Sequence, residues 1–170
     1  MASTPNDRTD RFSPEQRAGL EARREDQDRT LEAMHRLEAA LESASPGRES
    51  SWREKLVAAL AIVDESTTGE SDNAWRPDSL LSDIARTQPR LRNRVRGVRI
   101  QYQQLRDRIA SLRREIDEAG DAGLDVADLR QRLAWILGAL RHQRARESDL
   151  IYEAYYEAFR ADLEDDIGPG

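Results

Sequence analysis

The sequence has no cysteine among its 170 residues, which excludes disulfides, thiolate metal sites and cysteine nucleophiles. Aromatic residues are scarce, at 5%, and the 9 glycines and 6 prolines are scarce within the periodic stretches. No apolar run approaches the ~20 residues needed to span a bilayer. The opening stretch from Met1 to Gln16 carries no apolar segment of the signal-peptide kind. A soluble, cytoplasmic protein without membrane contact is therefore expected. β-branched runs are missing, which removes the main strand signal. A glycine-rich phosphate loop, a His-Glu-x-x-His pair, zinc-finger spacing and a Gly-x-Ser-x-Gly elbow are all absent. No enzyme is indicated and no catalytic residue is assigned.

Charge and helix formers dominate what is present. Charged residues make up 35% of the chain, and 33 acids against 27 bases give a formal net charge of −6. Lys55 is the only lysine, so the other 26 bases (27 less 1) are arginines. A pI near 5.1 argues against general nucleic-acid binding. Arg, Glu, Ala and Leu favour helices.

Residues 1–12 are polar and aperiodic and read as a disordered segment before a single helical domain over 13–168. Ser13, Pro14 and Gln16 read as a capping box with proline at the first helical position. An apolar stripe follows at Leu31, Met34, Leu37, Leu41 and Ala44, and Ser45-Pro46-Gly47 stops the helix. Ser51 to Glu54 reads as a second capping box, ahead of Leu56, Val57, Leu60 and Val63. That second helix is expected to end at Thr67 to Gly69, with a polar loop to Pro77 in which Trp75 plugs the core. Asp78 is the expected cap of a short stretch carrying Leu80, Leu81 and Ile84.

From Pro89 the apolar positions are Leu91, Val95, Val98, Tyr102, Leu105, Ile109, Leu112 and Ile116. Their spacing of 4-3-4-3-4-3-4 is an unbroken heptad seam. Gly120 and Gly123 turn the chain. Asp125 caps a last helix with seam Val126, Leu129, Leu133, Ile136, Leu140, Gln143, Glu147, Ile151, Ala154 and Ala158. Two polar residues thus stand where apolar ones belong. The acidic end from Asp162 to Asp166 opposes the helix dipole. Four long amphipathic helices make an all-α, antiparallel up-down four-helix bundle the expected architecture.

The run Leu140 to Glu147, followed by Ser148 to Tyr155, resembles the last helix of bacterial hemerythrin-like proteins. Asp166-Ile167-Gly168 is similar to the tail after that helix, and Leu31 to Leu41 with His35 is similar to the first core helix. The resemblance spans roughly Leu31 to Gly168. It implies a hemerythrin-type bundle, whose active members hold non-haem di-iron through histidines and carboxylates of all four helices. His35 stands where the first helix offers a ligand, and His142 with Glu147 has the spacing of the last-helix pair. The second helix has no histidine, only Asp64 and Glu65 near its end, and the third has Tyr102 where a ligand would stand. Two histidines replace the family's five. The expectation is a metal-free member of the family, with no cofactor, acting as an interaction or regulatory module. The alternative is an iron- or oxygen-binding protein with an atypical site of His35, Glu65, His142 and Glu147.

Other residues carry paired readings. His35 lies at the edge of its stripe, and His142 shares a side with Trp135 facing solvent or a partner. Gln143 and Glu147 form an i, i+4 pair, and Glu147 is expected to pair with Arg94 or Arg99 inside the bundle. Tyr152, Tyr155, Tyr156 and Phe159 form either core closure or a surface for a protein partner or self-association. Arg86, Arg90, Arg92, Arg94, Arg96 and Arg99 scatter around their helices. They read as a solvated face bridged to the first two helices, or as a surface for an anionic partner.

Overall fold

The computed structural model describes residues 12–43, 47–120, 123, 125–156 and 159–160. They are all-helical, with no strand among the described residues. Four long helices occur, α1 (Pro14–Glu42), α2 (Glu49–Trp75), α4 (Arg92–Ala119) and α5 (Val126–Ala154), together with a short α3 (Leu80–Thr87). A 3-10 turn, Pro89–Leu91, leads into α4.

The start of α1 follows from its sequence. Ser13 Oγ accepts the Gln16 N–H at 3.1 Å and Gln16 Oε1 accepts the Ser13 N–H at 3.0 Å, a reciprocal capping box. The start of α2 does not match expectation. The helix begins at Glu49, so Ser51 and Glu54 fall inside it, and Arg48 at the N-cap makes no side-chain bond. Glu49 Oε1 instead accepts the N–H of Gly47, whose φ of 82° suits glycine.

α2 also runs past the expected stop at Thr67 to Gly69, as far as Trp75. Its inner face stays buried through Thr67, Glu70, Ser71 and Ala74. Thr67 Oγ1 donates to Val63 O at 2.6 Å, so the hydroxyl is satisfied within the helix. Trp75 is therefore the last helical residue, not a core plug. It is 47% exposed, with the Arg99 guanidinium 5.0 Å from its ring. Ser79, not Asp78, caps α3, and Asp78 pairs with Arg76 at 3.0 Å. Ser79 lies one residue nearer the first helical N–H groups, where its hydroxyl reaches Ser82 N.

All eight expected seam positions from Leu91 to Ile116 are buried. Gly120, with φ 59°, ends α4, and Asp125 Oδ1 caps α5 by accepting from Ala127 and Asp128. Phe12, assigned to the disordered segment, is instead half-buried and packs edge-on against Tyr155 and Phe159. The rest of that segment lies outside the described residues. So do Ala44, Ser45, Pro46, Ala158, the acidic run from Asp162 to Asp166, and Ile167 with Gly168.

Side chains tie the long helices in register. Trp52 Nε1 donates to Ala40 O at 2.9 Å and Thr30 Oγ1 to Glu70 at 2.7 Å between α1 and α2. Arg106 meets Asp72 and Arg99 meets Ala74 O between α4 and α2. Gln143 meets Val98 O and Arg132 meets Glu115 between α5 and α4, while Arg130 meets Leu41 O and Arg23 meets Glu147 between α5 and α1. In each pair, positions rise along one helix as they fall along the other.

The apolar interior falls into two clusters. One holds Leu37, Leu56, Leu60, Ile109, Leu133 and Leu140 with their neighbours. The other holds Leu80, Ile84, Val95, Tyr102, Leu150 and Tyr155 with theirs. On α5 the residues separating them are Gln143 and Glu147; on α2 they are Ser66, Thr67, Glu70 and Ser71.

Leu105 and Leu133 both belong to the first cluster, at 6% and 0% exposure. Leu105→Asp or Leu133→Asp is expected to abolish the cooperative thermal transition followed by circular dichroism. An unpaired buried ion costs several kcal/mol, a large part of a typical domain's stability. A wild-type melt for both variants would contradict the packing described.

Candidate functional site: a buried arginine in the polar layer

Each long helix contributes to the layer between the two apolar clusters. α1 supplies Arg23, Asp26 and Thr30; α2 supplies Glu70; α4 supplies Tyr102; α5 supplies Gln143 and Glu147. Apart from Arg23, whose side chain is 12% exposed, each is at most 9% exposed.

Arg23 is the centre of the layer. Its Nη2 donates to Glu147 Oε2 and to the Tyr102 hydroxyl oxygen, and its Nη1 lies 3.6 Å from Glu70 Oε1. Tyr102 in turn donates its hydroxyl proton to Glu147 Oε2. Thr30 Oγ1 holds Glu70 from the other side, and Asn73 Nδ2 holds Asp26 at 2.8 Å. A chain of polar partners therefore crosses the interior from α2 through α1 to α4 and α5.

The electrostatics follow from burial against pairing. Burial opposes the charge on Arg23, but Glu147, Tyr102 and Glu70 outweigh it and raise its pKa above the ordinary guanidinium value. For Glu70 the balance goes the other way. Burial raises its pKa, and the nearby Glu147 and Asp26 add to that, against the opposing pull of Arg23 and the Thr30 hydrogen bond. Burial, then Glu147 and Glu70, push the Tyr102 phenol well above its usual range, so it stays a proton donor. One guanidinium thus faces two carboxyl groups, and burial favours the protonated form of Glu70.

A cleft of about 490 Å³ opens onto this layer between α1, α2 and α3. Ala18, Gly19 and Ala22 form a small-residue wall, and Arg23, Glu70 and Glu147 lie among its lining residues. Chemically the site offers a fixed positive charge held between two buried carboxyl groups among the residues that line the cleft.

The residues singled out from sequence divide clearly. Glu147 is buried, 1% exposed, but its partner is Arg23, not Arg94 or Arg99. Arg94 instead reaches Glu153 at the surface, and Arg99 turns to Ala74 O and Ser82. His35, Glu65 and His142 are exposed, so the four-residue iron set is not brought together with Glu147. Among the described residues no group of three or more His, Asp or Glu is arranged to hold a metal ion.

Of the aromatic stripe, Tyr155 is buried and donates its hydroxyl to Asp83 at 2.7 Å, and Phe159 is half-buried. Tyr155 is thus core, not partner surface. Tyr152 and Tyr156 are exposed and pack edge-on with ring centres 5.6 Å apart. The arginine cluster is bridged to α3 and α5, not to the first two helices as expected, apart from Arg99's bond to Ala74 O. Arg86 pairs with Asp83, and Arg90 and Arg94 share Glu153. Arg92 bonds Ala85 O, and Arg96 is exposed.

No family model, curated protein or solved structure matches this chain.

The raised pKa of Glu70 makes a signed expectation. A carboxyl with a folded pKa above its unfolded value of 4.5 contributes stability below that value and loses it as pH rises through the folded pKa. Glu70→Gln, which keeps an acceptor for Thr30, should therefore be more stable than wild type at pH 7. The advantage should vanish near pH 4. Urea melts across this range check it; a wild-type advantage that grows with pH would contradict the assignment.

Proposed function

We propose that the chain is an antiparallel up-down four-helix bundle of the hemerythrin type that works without iron, as a small cytoplasmic interaction or regulatory module. One observation supports this above all: the Arg23 guanidinium lies among Glu70, Glu147 and Tyr102, in a buried layer to which all four long helices contribute, as the resemblance implies for a metal site of that family. The opposite order of contacts along paired helices supports the bundle. No helix among the described residues is long and apolar enough to cross a membrane.

The donor set does not fit di-iron. Iron needs neutral imidazoles and carboxylates with free lone pairs. Here both histidines are exposed, and the two buried carboxyl groups already face a cation. A metal ion beside Arg23 would add like charge to like at short range. The anionic-partner reading also loses support, since Arg86, Arg90 and Arg94 are paired in place.

The partner-facing surface in this reading is the exposed pair Tyr152 and Tyr156, flanked by Phe159 at 5.8 Å from Tyr152. Tyrosine combines apolar area with a polar tip and is enriched at interface hot spots.

Two measurements test the proposal. Protein produced with ample iron should purify colourless, with iron well below stoichiometric by elemental analysis. Arg23→Ala should bind more divalent metal than wild type, because it leaves two facing carboxyl groups without their cation. Stoichiometric iron whose absorbance band disappears in His35→Ala would overturn the proposal. For the surface, Tyr152→Ser with Tyr156→Ser should change stability by no more than about 0.5 kcal/mol each. Tyr155→Ser should cost about 2–4 kcal/mol in the same urea melts.

A further inference from the structure

Of the six large apolar side chains left exposed among the described residues, three lie on one face of α5: Trp135 at 52%, Tyr152 at 51% and, just past its end, Tyr156 at 43%. They belong to a regular series. From Gln131 to Tyr156 the positions step 4-3-4-3-4-3-4 through Trp135, Gly138, His142, Ala145, Asp149 and Tyr152. All eight are exposed. The buried seam from Leu129 to Glu147 runs on the other side of the helix with the same period. α5 therefore carries two heptad seams, and this chain covers only the inner one.

The outer seam differs from the other water-facing surfaces of the bundle. Asp149 is its only acid, and it holds no arginine or lysine. The outward positions of α1 carry Glu21, Arg24, Asp28 and Glu42, and those of α4 carry Arg96, Asp107, Arg114 and Glu118, all exposed. A helix face that meets only water is ordinarily charged in that second way. Arg108 of α4 lies 4.4 Å from the Trp135 ring and covers one of its faces, yet half of the side chain stays exposed. Gly138 has nothing within 4 Å of where a Cβ would stand, so contacts within the chain give no reason for a glycine in mid-helix; close approach of another helix does.

The residues of the seam select its occupant. Two antiparallel copies, overlapped over their full length of about 37 Å, oppose like seams across a two-fold axis. Trp135 then meets Tyr152 of the second copy, Gln131 meets Tyr156, Gly138 meets Asp149 and His142 meets Ala145. The one carboxylate sits over a glycine, where there is room, and one layer from the imidazole of the other copy. Among the described residues neither Asp149 nor His142 has an ion-pair partner in its own chain. A parallel pairing would instead set Asp149 against Asp149 and His142 against His142. We propose that a second copy of this chain docks antiparallel on the outer seam of α5, about a two-fold axis level with the turn between His142 and Ala145. This pairing names the partner for the exposed tyrosine surface and rests on the interaction-module reading above.

Sedimentation equilibrium of the full chain from about 1 μM to about 500 μM tests it. The chain should pass from monomer to dimer, with a midpoint on the order of 10 μM to 100 μM for so narrow an interface. Trp135→Ala combined with Tyr152→Ser should weaken the dimer about tenfold or more and keep the wild-type melt, since both positions are exposed. Orientation is read separately, because the chain has no cysteine of its own. Under oxidation, Gln131→Cys mixed with Tyr156→Cys should give a crosslinked heterodimer, and neither variant should crosslink comparably with itself. Crosslinking of each variant with itself would show a parallel pair and overturn the antiparallel docking. A dimer untouched by the Trp135 and Tyr152 changes would lie on another face and overturn it too. A monomer throughout would overturn it outright and leave the outer seam to a helix of a different protein. The iron-free reading is decided by the metal measurement, so its failure and the failure of this pairing are distinct results.

Discussion

The contact on which the rest of the structure depends is the buried pairing of Arg23 with Glu147. Glu147 has no surface to retreat to at 1% exposure, and Arg23 comes from the opposite end of the sequence. Removing two charges from water costs several kcal/mol per ion, and only good geometry with further hydrogen bonds returns it. Here those bonds come from Tyr102 and, through Glu70, from Thr30. Such a group adds little net stability compared with apolar residues of the same volume. Its consequence is register: a slip of one turn on any of the four helices would strand a charge or a phenol in the interior.

That constraint explains the arrangement around it. The apolar core is interrupted, not continuous, because the polar layer must have its own depth. α2 has to extend as a helix to Trp75, since Glu70 and Asn73 are needed at the layer and Ala74 O receives Arg99. The end of the molecule beyond the layer is closed by Asp83. It accepts from Gln16 of α1, Arg86 of α3 and Tyr155 after α5. Burial works against the Asp83 charge, but these three donors hold its pKa below the ordinary value.

Much of this was legible in the sequence, for definite reasons. The α4 seam was readable because all eight positions are apolar or tyrosine at heptad spacing. Gln143 and Glu147 were readable as interior because strong apolar residues bracket them on α5. Arg23 was missed because the α1 stripe was followed only while it stayed apolar. Counted back from Leu37, the steps to Ala33, Thr30, Asp26 and Arg23 are 4-3-4-3, the same period carried by polar residues. On α2 the steps from Val63 to Thr67, Glu70 and Ala74 are 4-3-4, yet Thr67 to Gly69 read as a stop. Polar residues on a continuing seam look like a loop when each helix is taken alone. They become a layer only when the seams of several helices are aligned. Glu147 was assigned the wrong arginine for the same reason: α4 was the neighbour with evident arginines, whereas the one that points inward is on α1.

The most direct test of the buried pairing is a double-mutant cycle in stability between Arg23→Met and Glu147→Leu, by urea unfolding at pH 7. Arg23→Met alone should cost about 3–5 kcal/mol, because it strands two carboxyl groups. Glu147→Leu should be milder, since Glu70 still faces the guanidinium. The double variant should be more stable than Arg23→Met alone, giving a coupling above about 1 kcal/mol. Strictly additive losses, or an Arg23→Met variant as stable as wild type, would contradict the burial of Arg23 against Glu147 and the polar layer built on it.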